Sequence, residues 1–191
     1  MQIIKGEFKH RKLKVPKGIR PVSLRVKKSL FDVVKDSIPG AKVLDLFAGS
    51  GSLGIEALSL GADQAVFVEN SRSCASVIRS NLKSLKTDRK TEVICKDVFS
   101  ALKDFHCLRY SFDLIFLDPP YYRGLARKAL QTIDGYDIVS KLGLIVESCF
   151  YKDETISDYS KFFRVYSKQY GQTQIAIYQK QDEKGFISGD I

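Results

Sequence analysis

The side chains best suited to chemistry sit where apolar runs end. In DLIFLDPPYY, a nearly all-apolar run from Leu114 to Leu117 leads directly into Asp118-Pro119-Pro120-Tyr121. Two consecutive prolines fix φ and remove two N–H donors, which makes a stiff loop that offers carbonyl oxygens without competing donors. A carboxylate followed by such a carbonyl suits an amine. The exocyclic amine of a purine or pyrimidine is a poor nucleophile, because its lone pair is delocalised into the ring. If the Asp118 carboxylate and the Pro119 carbonyl each accept one N–H, the nitrogen can pyramidalise and aim its lone pair at an electrophilic methyl group. Tyr121 then supplies a flat surface on which an extruded base stacks.

The second stretch is VLDLFAGSGSLGIEAL, residues 43–58, which contains a complete G-x-G-x-x-G in Gly49, Gly51 and Gly54. A buried strand precedes the glycines and a helix follows them, so a ligand there meets helix N–H groups. In a dinucleotide site the first glycine closely follows an apolar strand end, and the pyrophosphate lies over the helix N-terminus. Here Asp45 stands four residues before Gly49. A carboxylate at the strand end repels a pyrophosphate and welcomes a cation, such as the ammonium of a methionine moiety. Glu69 ends the next strand, VFVEN, where a carboxylate accepts both hydroxyls of a ribose in either kind of site.

The elements that must position these residues are legible in the apolar pattern. From Ala41 onward, short β-branched runs alternate with helical periodicity, which predicts an α/β fold with a parallel sheet covered on both faces. Strands are predicted near 43–47, 65–69, 91–95, 112–117 and 143–147, and helices near 52–60, 72–86, 97–104 and 123–133. The chain end differs. FFRVYSKQY, a GQ turn and TQIAIYQK read as two strands with a tight connection, an antiparallel hairpin that closes the sheet.

Charge divides the chain unevenly. Lys5, Lys9, Arg11, Lys12, Lys14, Lys17, Arg20, Arg25, Lys27 and Lys28 face a single acid, Glu7, within the first 30 residues, so the whole formal net charge of +9 sits there and the remainder balances. That asymmetry is expected of a nucleic-acid grip. The arm is not low-complexity: IIKGEFKHRKLKV reads as a short hairpin with Gly6 and Gly18 as turn candidates. After Pro21, Val22, Val26, Leu30, Val33 and Val34 recur at helical spacing with Arg25 and Lys28 off the stripe. Residues 1–38 are thus expected to form a basic RNA-binding arm packed on a core domain of residues 39–180, followed by a polar, disordered tail over 181–191.

Composition narrows the classes further. A chain of 191 residues, 44% hydrophobic, suits one compact domain. No apolar run approaches the roughly 20 residues of a membrane helix, and MQIIKGEFKHRK lacks the apolar core of a signal peptide, so a cytoplasmic location is expected. Cys74, Cys95, Cys107 and Cys149 include no C-x-x-C pair and are expected to be buried free thiols. With only His10 and His106 besides, the latter expected at the surface, neither a metal site nor a histidine triad is expected.

Taken together, these motifs resemble the S-adenosylmethionine-dependent methyltransferases and, within them, the bacterial enzymes that methylate the guanine N2 amine of 16S ribosomal RNA. The resemblance covers nearly the whole chain, through IIKGEFKHRKLKVP, RPVSLRVKKSLFDVV, LDLFAGSGSLGIEALS, FLDPPY and the closing Q-x-Q-I-A-I-Y-Q strand. It implies a seven-stranded Rossmann-like methyltransferase sheet, mostly parallel with a C-terminal antiparallel hairpin. It also implies a cofactor site in which Asp45 and the loop Phe47-Ala48-Gly49-Ser50-Gly51 surround the methionine end and Glu69 takes the ribose. Asp97 falls where this class uses an acid near the adenine amine, with Val98 beside the ring. A helix N-cap is the other reading of Asp97, and the two are compatible. Asp118, Pro119, Pro120 and Tyr121 match the catalytic loop, with Asp118 also bordering the cofactor. Leu24 and Lys28 depart from the family pattern, which usually has Asp and Glu at those places.

The expected activity is therefore methyl transfer from S-adenosylmethionine, leaving S-adenosylhomocysteine, without a metal. The expected substrate is 16S ribosomal RNA or a small-subunit assembly intermediate, gripped by Lys9, Arg11, Lys12, Lys14, Arg20 and Arg25, and the enzyme is expected to be a monomer. Competing readings are methylation of adenine N6 in nucleic acid, methylation of a protein glutamine, a NAD-dependent oxidoreductase, and an RNA-binding module that retains the cofactor fold without turnover.

Overall fold

The computed structural model describes residues 1–19, 23–87, 90–121, 124–153 and 158–181. Arg20 and the predicted tail beyond Gln181 lie outside the described residues. The elements run α1 (Leu24–Val34), a 3-10 turn (Lys35–Ser37), β1 (Lys42–Leu46), α2 (Ser52–Ser59), β2 (Gln64–Glu69), α3 (Arg72–Leu85), β3 (Thr91–Cys95), α4 (Val98–Cys107), β4 (Phe112–Leu117), α5 (Leu125–Gly135), β5 (Val139–Phe150), β6 (Phe162–Tyr170) and β7 (Thr173–Lys180). The strands form one seven-stranded sheet in the order β3-β2-β1-β4-β5-β7-β6. β1 to β5 are mutually parallel, and β7 pairs antiparallel with both β5 and β6. The parallel sheet with a closing hairpin is as predicted.

The order reverses between β1 and β4. The chain moves outward from β1 to β3, then returns to the other side of β1, and such a switch point opens a crevice at the carboxyl ends of the two strands. In register, Leu46 pairs with Leu117, so the loops after β1 and β4 leave the sheet side by side.

Period-2 alternation sorts the strand side chains into two cores. Val43, Phe67, Leu114, Phe116 and Val146 pack under α1, α2 and α3, whereas Leu44, Leu46, Ile115, Leu117 and Ile145 pack under α4 and α5. Along β1 and β4 this alternation puts Asp45 in line with Val43 and Asp118 in line with Phe116, both on the α1–α3 face.

Most of the arm joins this fold. Ile3 and Leu13 are buried in the core with α1. Residues 1–13 form the predicted hairpin-like turn, closed by a bridge between Gln2 and Lys12 and by Ile3 N–H donating to Arg11 C=O at 3.0 Å. Gly6 and Gly18 both take left-handed φ, +75° and +81°. At Gly6 the requirement is absolute, because a Cβ would lie 1.7 Å from the Ser59 carbonyl oxygen.

Several expectations need correction. In α1, Val33 is 42% exposed, and the buried face is Val26, Lys27, Leu30, Phe31 and Val34. β5 begins at Val139 rather than 143, since a bulge between its pairings with Phe112 and Leu114, with Leu142 at φ +59°, interrupts the apolar alternation without ending the strand. Of the four free cysteines, Cys74 and Cys149 are buried but Cys95 and Cys107 are exposed. Cys95 ends the edge strand β3, and Cys107 ends α4, where less packing is available to cover them.

Candidate active site at the switch point

The glycine loop turns through three left-handed residues in quick succession: Phe47 at φ +59°, Gly49 at +56° and Gly51 at +77°. Gly51 is the N-cap of α2. Phe47 adopts a conformation that costs a non-glycine residue energy, so the surrounding contacts must impose it. They include Ala48 N–H donating to Val68 C=O at 3.0 Å and Gly51 N–H donating to Ala48 C=O at 2.7 Å. Gly54 serves a different need. A Cβ there would approach the Phe67 ring to 2.4 Å, so its absence lets α2 lie close on β2.

Two carboxylates brace this loop. Glu69 accepts from Gly49 N–H at 2.8 Å with one oxygen and from Ser71 N–H at 2.8 Å with the other. Asp45, only 2% exposed, accepts from Gly54 N–H at 2.9 Å. Each carboxylate oxygen retains a lone pair after one such bond. Burial pushes the Asp45 carboxyl up to about 8, with the nearby charges of Asp118 and Glu69 adding to the shift and the Gly54 bond and Lys27 opposing it. Burial also raises Asp118, to about 6, an effect partly offset by the facing Ser148 hydroxyl. Three acids thus converge at the carboxyl ends of β1, β2 and β4. Such a site attracts a cation and repels a pyrophosphate.

In the loop after β4, Asp118 is half-buried, Pro119 buried and Pro120 exposed. The Tyr121 hydroxyl is hydrogen-bonded to the Thr173 hydroxyl at 2.7 Å, and its ring centre lies 6.2 Å from that of Phe150 at an interplanar angle of 40°. Burial raises the pKa of this phenol. Asp97 caps α4, accepting from Ser100 N–H at 3.0 Å, and Val98 is buried beside it. The acid at the end of β3 is therefore held in place by the helix it starts.

The basic residues divide. All five that are described, Lys9, Arg11, Lys12, Lys14 and Arg25, are exposed, but Arg11 donates to Ser84 C=O at 2.9 Å and Lys14 to the Ser80 hydroxyl at 3.0 Å. Ser59 and Ser84 belong to the last turns of α2 and α3, which run back against the strands, so the turn before Arg11 lies at the ends of those helices away from the glycine loop, while Lys14 N–H donates to Asn81, whose amide donates to Ser50 C=O in that loop. From there the chain rises to Ile19, whose side chain lies 3.6 Å from where a Gly49 Cβ would be.

Sequence reasoning missed Lys27. It counts in the basic excess, yet it is 1% exposed and ion-paired at 2.5 Å with Glu56, itself fully buried. Glu56 also accepts from Ile4 N–H at 2.9 Å and Lys5 N–H at 2.7 Å. The available signal was spacing, since Lys27 stands four residues before Phe31 on the buried face. Ser148, Phe150 and Thr173 were also missed, because only sheet pairing brings them to the Asp118 loop.

The sequence profile of the family described as conserved hypothetical protein 95 matches residues 1–179. The chain belongs to this family. A Bacillus subtilis (strain 168) relative, provisionally named an rRNA methyltransferase, YlbH, is 36% identical over 182 residues, covering 94% of this chain and 99% of the relative. Ribosomal RNA small subunit methyltransferase D of Haemophilus influenzae is 39% identical over 136 residues, 70% of each chain. Among solved structures, an Escherichia coli protein provisionally named a methyltransferase, yhhF, superposes with a TM-score of 0.84 at 30% identity, covering 96% of this chain and 99% of that one. The seven-stranded fold of this family member is accordingly shared with that Escherichia coli protein.

Proposed function

We propose that this chain is an S-adenosylmethionine-dependent methyltransferase acting on the exocyclic N2 amine of a guanine in 16S ribosomal RNA. The observation that carries the reading is the pairing of Leu46 with Leu117, which sets the Asp118-Pro119-Pro120-Tyr121 loop beside the glycine loop at the switch point. The convergence of Asp45, Glu69 and Asp118 fits a cofactor that carries an ammonium and a sulfonium, and disfavours a dinucleotide. The small-subunit enzyme of Haemophilus influenzae, by its name, supports ribosomal RNA as substrate.

In this reading Asp45 and Phe47 to Gly51 hold the methionine end, Glu69 the ribose, and Asp97 with Val98 the adenine. The cofactor, when bound, supplies a methyl group on an electrophilic sulfur. The protein's own part is positioning. The Asp118 carboxylate and the Pro119 carbonyl accept hydrogen bonds from the two amine N–H groups, pyramidalise the nitrogen and direct its lone pair; as the nitrogen takes the methyl and the S–C bond breaks, its one surplus proton passes to Asp118 or to water. Tyr121 holds the flipped base, its ring angle set by the Thr173 bond and the packing of Phe150. The stiffness of Pro119 and Pro120 keeps both acceptors in place while the base enters. Residues 1–38 serve as an RNA-contacting arm on the catalytic domain, through Lys9, Arg11, Lys12, Lys14, Arg20 and Arg25. The enzyme works as a monomer in the cytoplasm, on the RNA or on an assembling small subunit.

Incubation with methyl-labelled S-adenosylmethionine and 16S ribosomal RNA tests the proposal, followed by mapping of the modified nucleotide. Label on a guanine N2 is the expected result. Label on an adenine N6 or on a protein glutamine, or binding of RNA without transfer, overturns it.

A further inference from the structure

Beyond the Asp118 loop, three aromatic rings run in contact from the site to solvent. Tyr121 meets Phe150 at 6.2 Å between ring centres, and Phe150 meets Tyr151 edge-on at 4.8 Å and 62°. Tyr151 is 36% exposed, and the Lys152 ammonium lies 5.6 Å from its ring centre. The backbone beneath is braced. Tyr151 N–H donates to Gln172 C=O at 3.0 Å, Asp153 N–H donates to Phe150 C=O at 2.8 Å, and Phe150 pairs across the sheet with Thr173, the residue that also holds the Tyr121 hydroxyl. One pair of strand ends therefore fixes both the base-holding ring and the two rings that follow it.

An exposed tyrosine on a braced backbone with a lysine at its face combines a π surface, sequence-tolerant toward any base, with a charge for the adjoining phosphate. The basic turn around Lys9 and Arg11 is held against the last turns of α2 and α3, at the ends of those helices away from the glycine loop. We propose that Tyr151, backed by Phe150 and flanked by Lys152, is a stacking platform for the nucleotide adjacent to the target guanine in single-stranded RNA. The proposal rests on the reading of the Asp118 loop as the base-methylating site, and it adds a second base-binding position that the methyl transfer itself does not require. RNA is favoured over a protein partner by the ammonium at the ring and by continuity with the ring assigned to the target base.

The chain contains no tryptophan, so Tyr151→Trp introduces a single indole reporter at the platform. Its fluorescence should be quenched by a short single-stranded RNA oligonucleotide and not by an abasic oligomer of the same length and charge. Absence of quenching by the RNA, or equal quenching by both oligomers, overturns the platform. In steady-state methylation of 16S ribosomal RNA, Tyr151→Ala should raise KM about tenfold with kcat nearly unchanged, and Tyr151→Phe should restore KM because stacking needs only the ring. An unchanged KM in Tyr151→Ala overturns the proposal while leaving the methyl-transfer reading intact. If the unsubstituted protein transfers no methyl group, the functional reading fails by itself and the fluorescence comparison still decides whether a base stacks at Tyr151.

Discussion

The Glu69 carboxylate accepts a hydrogen bond from Gly49 N–H at 2.8 Å, tying the end of β2 to the turn that opens α2. The acid assigned to the ribose is thereby also a strut of the loop assigned to the methionine end. Glu69→Ala removes the ribose acceptor and leaves Gly49 N–H without its partner. Affinity for S-adenosylmethionine should fall by about 1.5–3 kcal/mol, the scale of charge-assisted hydrogen bonds, and S-adenosylhomocysteine should weaken equally because it shares the ribose. Calorimetric titration of both ligands checks this, and unchanged affinities would reduce Glu69 to a structural strand end.

Asp118→Ala should lower turnover about 100-fold or more, roughly 2.7 kcal/mol of barrier, while cofactor affinity stays within a few-fold. With the carboxyl of Asp118 raised to about 6, the acceptor is ionised above that pH and protonated below it. The rate constant kcat/KM for cofactor should therefore decline on the acid side with a midpoint near 6, and kcat with a lower one because the bound cation lowers the pKa of this acid, both being flat above about 7. A rate profile between pH 5 and 8 reads this directly.

Tyr121→Phe separates ring from hydroxyl. The ring stays for stacking, and the hydroxyl's hydrogen bonds, to Thr173 and Ser148 among them, are removed, so activity should drop less than tenfold, whereas Tyr121→Ala should cost more because the base then has no stacking surface. A collapse in the phenylalanine variant would assign the hydroxyl a direct part in the reaction.

Burial raises Asp45 to about 8 as well as Asp118 to about 6, and the sign of the consequence follows from linkage. A carboxyl that holds its proton more tightly when folded favours the native state below its unfolded value near 4, and that contribution is lost as pH rises through 6 and then 8. Thermal stability without cofactor should thus decline over this range, and Asp45→Asn should flatten the upper part of the decline. A bound cation lowers the pKa of neighbouring acids. Cofactor binding at pH 7 should accordingly release protons, measured as a dependence of the calorimetric enthalpy on buffer ionisation.

Charge in the arm should act in two separable ways. Lys27→Ala leaves the fully buried Glu56 without its ammonium, and stability should fall by about 3–5 kcal/mol in urea unfolding. Neutralising Lys9, Arg11, Lys12 and Lys14 together should instead leave cofactor binding intact. It should flatten the salt dependence of RNA binding by about 0.7–0.9 in log–log slope for each phosphate that is no longer neutralised. Filter binding at several salt concentrations distinguishes the two, and an unchanged slope would make the basic turn a solubilising surface only.

By itself, the sequence determined the strands and helices of the parallel sheet, the closing hairpin and the places along the chain of the two loops. Each of these depends on local rules: apolar period, glycine at left-handed φ, proline's missing donor. Asp45, Glu69 and Asp118 were legible for the same reason, as acids at the ends of apolar strands. The tertiary structure decided what depends on neighbours distant in sequence. The pairing of Leu46 with Leu117 made one crevice of two loops, and sheet register carried Ser148, Phe150 and Thr173 to Tyr121. Likewise, Lys27 reads as one more surface cation until α1 is laid on α2, where a buried Glu56 stands opposite it. A side chain's type and local period are written along the chain, but its electrostatic partner and its exposure are set by whichever segment folds against it.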